Sequence, residues 1–320
     1  MSRYVLGVSA LYHESAAVLL RDGVVVAASS EERFSRQKQD SALPVRASRW
    51  CLEQAGISMA DVEAVVYYEK PLRKFERILV SQLTGFPSTL PAFQRTALTW
   101  LTDKLWVRNA LCKELGARPS QLMFSEHHLS HAASAFYCSP FERAAVLTVD
   151  GVGEWATTSL WQGDEHGLKP LSEVRFPHSL GLTYSAFTAF LGFRVNNGEY
   201  KVMGLASYGE PRHVDKVEKV LQGVDGGGFQ NDTRYVAWHK STVRSYSGAF
   251  EQLFGAPRQP GTPLDPRQGE GKHYADIAAS VQVVLEERLL ALAERLHADT
   301  GLDALCMAGG VALNVVANRR

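Results

Sequence analysis

Cysteine is scarce in this sequence, and the four cysteines lie far apart. No two of them have the C-x-x-C spacing of a zinc-thiolate or redox site. Scattered cysteines suit reduced thiols that pack as small hydrophobes better than they suit a disulfide scaffold or a closed zinc-thiolate site. The four are Cys51, Cys112, Cys138 and Cys306.

Long apolar runs and an excess of either charge are also missing. The N-terminus MSRYVLGVSALYHES has no apolar core long enough for a signal peptide, and no run of about 18 apolar residues follows it. Lys plus Arg and Asp plus Glu both number 34, and the basic residues form no stripe interleaved with aromatics. We therefore expect a cytoplasmic protein that binds small molecules, with no membrane and no nucleic acid among its partners.

The apolar pattern predicts two lobes built alike. A strand, a small-residue loop, a second strand, a turn and a third strand occur near the N-terminus and again after residue 143, each time followed by a helical pattern. A chain of 320 residues, 45 % of them hydrophobic, can bury two cores. The sequence thus predicts an α/β fold with strands at 4–10, 16–20, 23–30, 144–151, 156–163 and 168–176, and helices at 44–56 and 179–192.

Three further segments complete the chain. Residues 70–118 have a helical pattern without a strand–helix–strand signal, which predicts a helical insertion in the first lobe. Residues 222–272 are rich in Gly, Pro, Asp and Gln with scattered aromatics, which indicates a binding loop or mobile flap, or else a surface excursion. Residues 274–299 carry the apolar stripe of a core helix, which leads into a strand and a glycine pair in DALCMAGGVALN.

The stretch SEHHLSHAASAFYCSP (125–140) contains three of the ten histidines. On a helix, His127 and His131 share one face and His128 points elsewhere. The apolar strand AAVLTV then ends in Asp150, at the carboxyl end of a strand, where ligands bind in α/β sheets. Two imidazoles and one carboxylate suit iron(II), manganese or zinc and leave coordination positions open, although such a histidine pair also occurs by chance on solvated helices.

Two glycine-bearing turns are candidate phosphate sites. Gly151 and Gly153 follow Asp150, and Gly309 and Gly310 stand where a strand meets the start of a helix. Backbone N–H groups at such turns can hold a phosphate, and both turns are also common as plain strand-to-helix joints. Found together, they predict the two sides of a nucleotide cleft.

Six motifs resemble, in order and over nearly the whole chain, those of the NodU/CmcH family of O-carbamoyltransferases. They are SALYHESAAVLL, EERFSRQKQD, EHHLSHAASAFYCSPF, TVDGVGEW, NNGEYKVMGLASYG and MAGGVALN. The resemblance implies duplicated ribonuclease-H-like lobes of the actin/sugar-kinase/Hsp70 (ASKHA) type, over residues 1–141 (with the helical insertion near 70–118) and 142–320.

The same resemblance implies a reaction. A C-terminal YrdC-like domain combines carbamoyl phosphate with ATP and Mg²⁺ into carbamoyl adenylate, and the ASKHA-type domain transfers the carbamoyl group to a hydroxyl of a small molecule while AMP leaves. Such acceptors include antibiotics, other secondary metabolites and lipo-oligosaccharide signals, and an antibiotic-type acceptor is expected here.

The resemblance also assigns roles to single residues. His13 would accept the proton of the attacking hydroxyl, and Lys201 would pair with phosphate or the carbamoyl oxygen. The iron(II)-like metal would be held by His127, His131 and Asp150, and the nucleotide by Gly309, Gly310 and Asn314.

The sequence departs from the family pattern at its end. A further metal-binding aspartate and the YrdC-like domain are expected, yet the sequence stops at Arg320 within VALNVVANRR. We therefore expect a fragment that binds metal and nucleotide poorly and makes no carbamoyl adenylate by itself, with exposed apolar surface that favours self-association. Two alternatives stay open: an enzyme similar to the tRNA threonylcarbamoyl transferases, and a non-catalytic nucleotide-binding regulator.

Overall fold

The computed structural model describes residues 2–102 and 104–320. The chain divides into two compact units. The first runs to Leu79 and includes Phe93–Ser130, and the second comprises Val80–Ala92 and His131–Arg320. The lobe boundary expected near residue 141 stays a prediction.

The first unit is built on a five-stranded sheet of order β3-β2-β1-β4-β5. β1, β2 and β3 form an antiparallel meander, and β4 pairs in parallel with both β1 and β5. Asp22 and Gly23 form the turn between β2 and β3, with φ of 52° and 83°, the left-handed conformation that a two-residue hairpin turn requires. The strands are β1 (Tyr4–Ser9), β2 (Ala16–Arg21), β3 (Val24–Ser30), β4 (Val62–Tyr67) and β5 (Leu122–Phe124).

The helices predicted over residues 70–118 are present, and they connect β4 to β5. Because these two strands are parallel, the chain must cross back between them, and the helical segment supplies that crossover. No strand–helix–strand pattern is visible in the sequence here, because β5 has only three residues. The helices up to this point are α1 (Glu32–Ser35), α2 (Val45–Ala55), α3 (Pro71–Thr84), α4 (Leu90–Thr102) and α5 (Val107–Leu115).

The second unit repeats the arrangement of the first four strands, and its sheet has no counterpart of β5 among the described residues. After α6 (His127–Phe136), the strands β6 (Ala144–Val149), β7 (Ala156–Asp164) and β8 (Gly167–Arg175) form an antiparallel meander. β6 also pairs in parallel with β11 (Leu305–Ala308), so the sheet order is β11-β6-β7-β8. The recurrence of a meander whose first strand gains a parallel neighbour confirms the predicted α/β fold with two ribonuclease-H-like lobes of the ASKHA type.

Helices cover the sheet of the second unit and bury its core. The predicted core helix is α11 (Gly269–Thr300), which buries Ile277, Val281, Val284, Leu285, Leu289, Leu292 and Leu296. The other helices are α7 (Leu180–Phe190), α8 (Glu199–Ala206), α9 (Val214–Val220) and α10 (Gly248–Phe254). Short 3-10 helices occupy Met59–Asp61, Lys104–Trp106, Pro119–Gln121, Asp225–Gly227, Gly310–Leu313 and Ala317–Arg319.

The segment 222–272, expected to be a loop or flap, is largely fixed by its aromatic residues. A hairpin of β9 (Leu221–Val224) and β10 (Gly228–Asn231) begins it, and α10 follows. Phe229, Phe250 and Phe254 are buried in the core of the second unit, and Tyr235, Trp238 and Tyr246 pack against that core. The aromatics therefore attach the segment to the core, because each one removes a large apolar surface from water.

Among the helices of residues 2–102 and 104–320, none has both the length and the apolar composition that crossing a membrane requires.

We expect Phe250→Ala to lower the free energy of unfolding of the second unit by about 3–5 kcal/mol, because it leaves a cavity in a packed core. The Phe250 ring is 0 % exposed and lies 4.8 Å from the Phe187 ring centroid. Urea unfolding followed by tryptophan fluorescence measures the change. The matched control is Phe141→Ala, since Phe141 is 44 % exposed. Equal losses in the two variants would contradict a core role for the 222–272 segment.

Candidate metal centre

Helix α6 begins directly after Glu126. The N–H of Ser130 donates to the Glu126 carbonyl at 2.8 Å, so the first helical hydrogen bond starts at that residue. The Glu126 carboxylate accepts from Lys70 Nζ at 3.0 Å and lies 3.6 Å from Arg73 Nη1. These ion pairs attach the start of α6 to Arg73 of α3 and to Lys70, which directly precedes α3. They stabilise the fold only modestly, because the charged groups remain in contact with water.

The structure brings the three predicted ligands together. His127 and His131 lie one turn apart on α6, and one ligand atom from each of them and from Asp150 all lie within 4.8 Å of one another. His131 Nε2 is 3.5 Å from Asp150 Oδ2. All three residues are partly buried, whereas His128 is 3 % exposed and is not part of this group. Their role as metal ligands stays a prediction.

The neighbouring groups also hold His127 and Asp150 in place. The Tyr68 ring meets the His127 ring edge-on at 5.6 Å, and the Ser130 hydroxyl donates to the Tyr68 carbonyl at 2.9 Å. Burial raises the pKa of the Tyr68 hydroxyl, which therefore stays neutral near pH 7. All six residues of β6 are buried, and the N–H of Asp150 donates to the Thr157 carbonyl at 2.9 Å. Asp150 is thus the first residue after the buried strand.

The Gly309–Gly310 turn lies against Asp150. Gly309 has φ of 96°, and a Cβ there would lie 2.3 Å from the Val149 carbonyl oxygen. The N–H of Gly310 donates to Asp150 Oδ1 at 3.1 Å. Both glycines were predicted to hold a phosphate. Gly309 lets the backbone of the turn lie close to the end of β6, and the Gly310 amide donates a hydrogen bond to the Asp150 carboxylate.

The loop after Asp150 is attached to α7. The Ser179 hydroxyl accepts from the Leu182 N–H at 3.0 Å as the cap of α7 and donates to the Gly151 carbonyl at 2.7 Å. The N–H of Gly153 donates to the Ala156 carbonyl at 2.9 Å, which closes the loop. Phosphate binding by Gly151 and Gly153 stays a prediction.

Gly181 is a site residue that the sequence reading missed. A Cβ at this position would lie 2.7 Å from both the Asp150 carbonyl oxygen and the Gly151 nitrogen, so only glycine lets α7 pack against the loop. A signal was available, because glycine is a poorer helix former than alanine, so a glycine in the first turn of a predicted helix indicates a packing reason.

Asn314, predicted to contact the nucleotide, is 5 % exposed and faces α11. Its amide makes a reciprocal pair with the Gln282 amide at 3.0 Å in each direction, and its Oδ1 also accepts from the Ala317 N–H. The Tyr184 hydroxyl donates to Gln282 at 3.0 Å, and burial raises the pKa of that hydroxyl. The structure thus uses the Asn314 amide for internal hydrogen bonds, and its nucleotide role is untested.

The two residues predicted to be catalytic belong to different units. His13 lies in the loop after β1 of the first unit, with its side chain 46 % exposed and Nδ1 3.4 Å from a Glu14 carboxylate oxygen. Its ring centroid is 4.5 Å from that of Tyr12. Lys201 is exposed on α8 of the second unit, with Nζ 5.9 Å from the Tyr200 ring centroid. Their catalytic roles stay predictions.

We expect His131→Ala to weaken binding of Mn²⁺ at least about tenfold, because it removes a direct ligand, and loss of even an outer hydrogen bond commonly costs that much. Isothermal titration calorimetry measures the affinity. His166→Ala is the matched control, because the His166 side chain is 86 % exposed and lies beside Glu165. Equal Mn²⁺ affinities in the two variants would show that His131 is not a metal ligand.

Comparison with known proteins finds relatives that match nearly the whole chain. An uncharacterized Synechocystis protein, sll1178, is 49 % identical over 99 % of this chain and 52 % of its own length. The nodulation protein NolNO of Sinorhizobium fredii is 37 % identical over 96 % of this chain and 42 % of its own length. The chain therefore spans about half or less of the length of these relatives.

Among solved structures, component A of the Acidaminococcus fermentans (R)-2-hydroxyglutaryl-CoA dehydratase is similar at a TM-score of 0.46 and 15 % identity, over 99 % of this chain and 87 % of that one. The fold assignment follows from the strand order of the two sheets. The profile described as "Carbamoyltransferase N-terminus" matches residues 4–320. The chain therefore belongs to the carbamoyltransferase N-terminal family.

Proposed function

We propose that the protein transfers a carbamoyl group from carbamoyl adenylate to a hydroxyl of a small molecule. The observation that carries the proposal is the convergence of His127, His131 and Asp150 in a chain of the carbamoyltransferase N-terminal family. Because the chain spans about half of the length of its relatives, the proposal concerns the whole protein. Following the family resemblance, we propose an antibiotic or other secondary metabolite as the acceptor.

The donor set fits a divalent metal. Two imidazoles and one carboxylate form a borderline set that suits Fe²⁺, Mn²⁺ or Zn²⁺, and three ligands leave positions open. A metal held by His127, His131 and Asp150 would supply Lewis acidity toward the oxygens of the adenylate.

The proposed step exchanges one bond at the carbamoyl carbon for another and moves one proton. The acceptor oxygen attacks the carbamoyl carbon, the bond from that carbon to the phosphate oxygen breaks, and AMP leaves with the bonding electron pair. His13 would accept the proton of the hydroxyl, and its partly exposed ring is open to an acceptor. Lys201 would pair its positive charge with the phosphate or the carbamoyl oxygen, and its ammonium group is exposed on α8 and so accessible to a ligand.

Carbamoyl phosphate and ATP with Mg²⁺ are the proposed co-substrates for making the adenylate. We assign that earlier step to the YrdC-like domain that the family resemblance implies, and not to residues of this chain. The backbone of the Gly309–Gly310 turn and of the Gly151–Gly153 loop is the proposed contact of the nucleotide. Within these turns, the N–H groups of Gly310 and Gly153 already donate to Asp150 Oδ1 and to the Ala156 carbonyl.

We expect His127→Ala in the full-length protein to lower carbamoyl transfer at least about a hundredfold, on the scale of losing one electrostatic stabiliser of a transition state. AMP release and carbamoylated acceptor are followed by mass spectrometry with Fe²⁺, ATP and carbamoyl phosphate, and His166→Ala is the control. Carbamoyl adenylate should accumulate in the variant, because its formation does not use this site. Unchanged turnover would mean that the histidines are structural, and a nucleotide-binding regulator would then be the better description.

A further inference from the structure

We infer, on the basis of the proposed metal site, that the backbone amide of Gly310 positions the Asp150 carboxylate for the metal. Ordering of the Gly309–Gly310 turn and metal binding are then coupled. Gly310 acts on the metal through Asp150, so it is a positioning residue and not itself a metal ligand.

The two oxygens of Asp150 face different partners. Oδ1 accepts from the Gly310 N–H at 3.1 Å, and Oδ2 lies 3.5 Å from His131 Nε2. A carboxylate is planar, so fixing Oδ1 limits the directions in which Oδ2 can point. Asp150 thus directs Oδ2 toward His131, while the Gly310 amide holds Oδ1.

The backbone can make this contact because the turn carries no side chain. β11 runs parallel to β6 up to the pair Ala308 and Thr148, which brings the following turn to the end of β6. A Cβ on Gly309 would collide with the Val149 carbonyl oxygen at 2.3 Å, and a Cβ on Gly310 would lie 3.0 Å from Asp150 Oδ1. The backbone of the turn therefore lies close to Asp150 because β11 pairs with β6, and no side chain of the turn is needed for the contact.

Linkage makes the coupling reciprocal. If the Gly310 hydrogen bond holds Asp150 in the geometry that binds metal, metal binding must stabilise that hydrogen bond by the same free energy. Groups that orient a ligand in this way commonly change metal affinity by about 10- to 100-fold. A turn that also contacts the nucleotide would then sense whether the metal is present.

Gly310→Pro compared with Gly310→Ala tests the contact between the turn and Asp150. Both variants place a Cβ near Asp150 Oδ1, but only proline removes the N–H donor, and its ring Cδ takes the place of the hydrogen and pushes Oδ1 away. Gly310 is the first residue of the 3-10 helix Gly310–Leu313, a position that tolerates proline. We expect Gly310→Pro to bind Mn²⁺ about 10- to 100-fold more weakly than Gly310→Ala by isothermal titration calorimetry. Equal affinities would overturn the inference.

Hydrogen exchange of the Gly310 amide tests the contact without metal. We expect protection in the wild type and in Asp150→Asn, which keeps an acceptor oxygen, and faster exchange in Asp150→Ala. Adding Mn²⁺ should raise protection in the wild type only. Identical exchange in all three metal-free proteins would overturn the inference even if carbamoyl transfer occurs. A third outcome is that protection of the Gly310 amide depends on Asp150 but the protein transfers no carbamoyl group. That outcome would support the contact between Gly310 and Asp150, and it would contradict only the proposed function.

Discussion

The parallel pairing of β11 with β6 is the constraint on which the candidate site depends. β6 is buried along all six residues, so Asp150 comes directly after the strand, where a polar side chain can stand. The pairing of Cys306 with Val146 and of Ala308 with Thr148 then fixes where the next residues of the chain lie. Since β11 follows the 32-residue helix α11, the packing of that helix on the sheet sets the position of the Gly309–Gly310 turn.

The histidine side of the site depends on a different kind of interaction. α6 is only ten residues long. The residue before it, Glu126, forms ion pairs with Lys70 and Arg73, and these charged groups are accessible to water. Backbone hydrogen bonds and strand pairing fix Asp150, whereas ion pairs and a ring contact with Tyr68 support His127. The two sides therefore respond differently to salt, because exposed ion pairs are screened and strand pairing is not.

Most of the fold could be predicted from the sequence because its signals are local. The two meanders could be predicted because their strands show alternating or continuous apolar residues. The Asp22-Gly23 pair alone predicts the tight turn between β2 and β3. The spacing of His127 and His131 placed both on one helical face. β5, with three residues, lies below the length at which a period can be recognised. The hydrogen bond of Gly310 to Asp150 spans 160 positions and involves a backbone atom, so no residue pattern reports it.

The aromatic residues of the 222–272 segment have a consequence for protein engineering. Between the bridged residues Val236 and Tyr246, residues 242–244 form an exposed tip, where Val243 is 75 % exposed and its N–H donates to the Ser241 hydroxyl. Tyr235 and Trp238 before the tip and Tyr246 after it pack against the core. A change at the tip is therefore expected to have little effect on the stability of the sheet. A fluorophore or an affinity tag introduced at Val243 should therefore report on the protein without loosening it, because exposed loop tips tolerate insertion best.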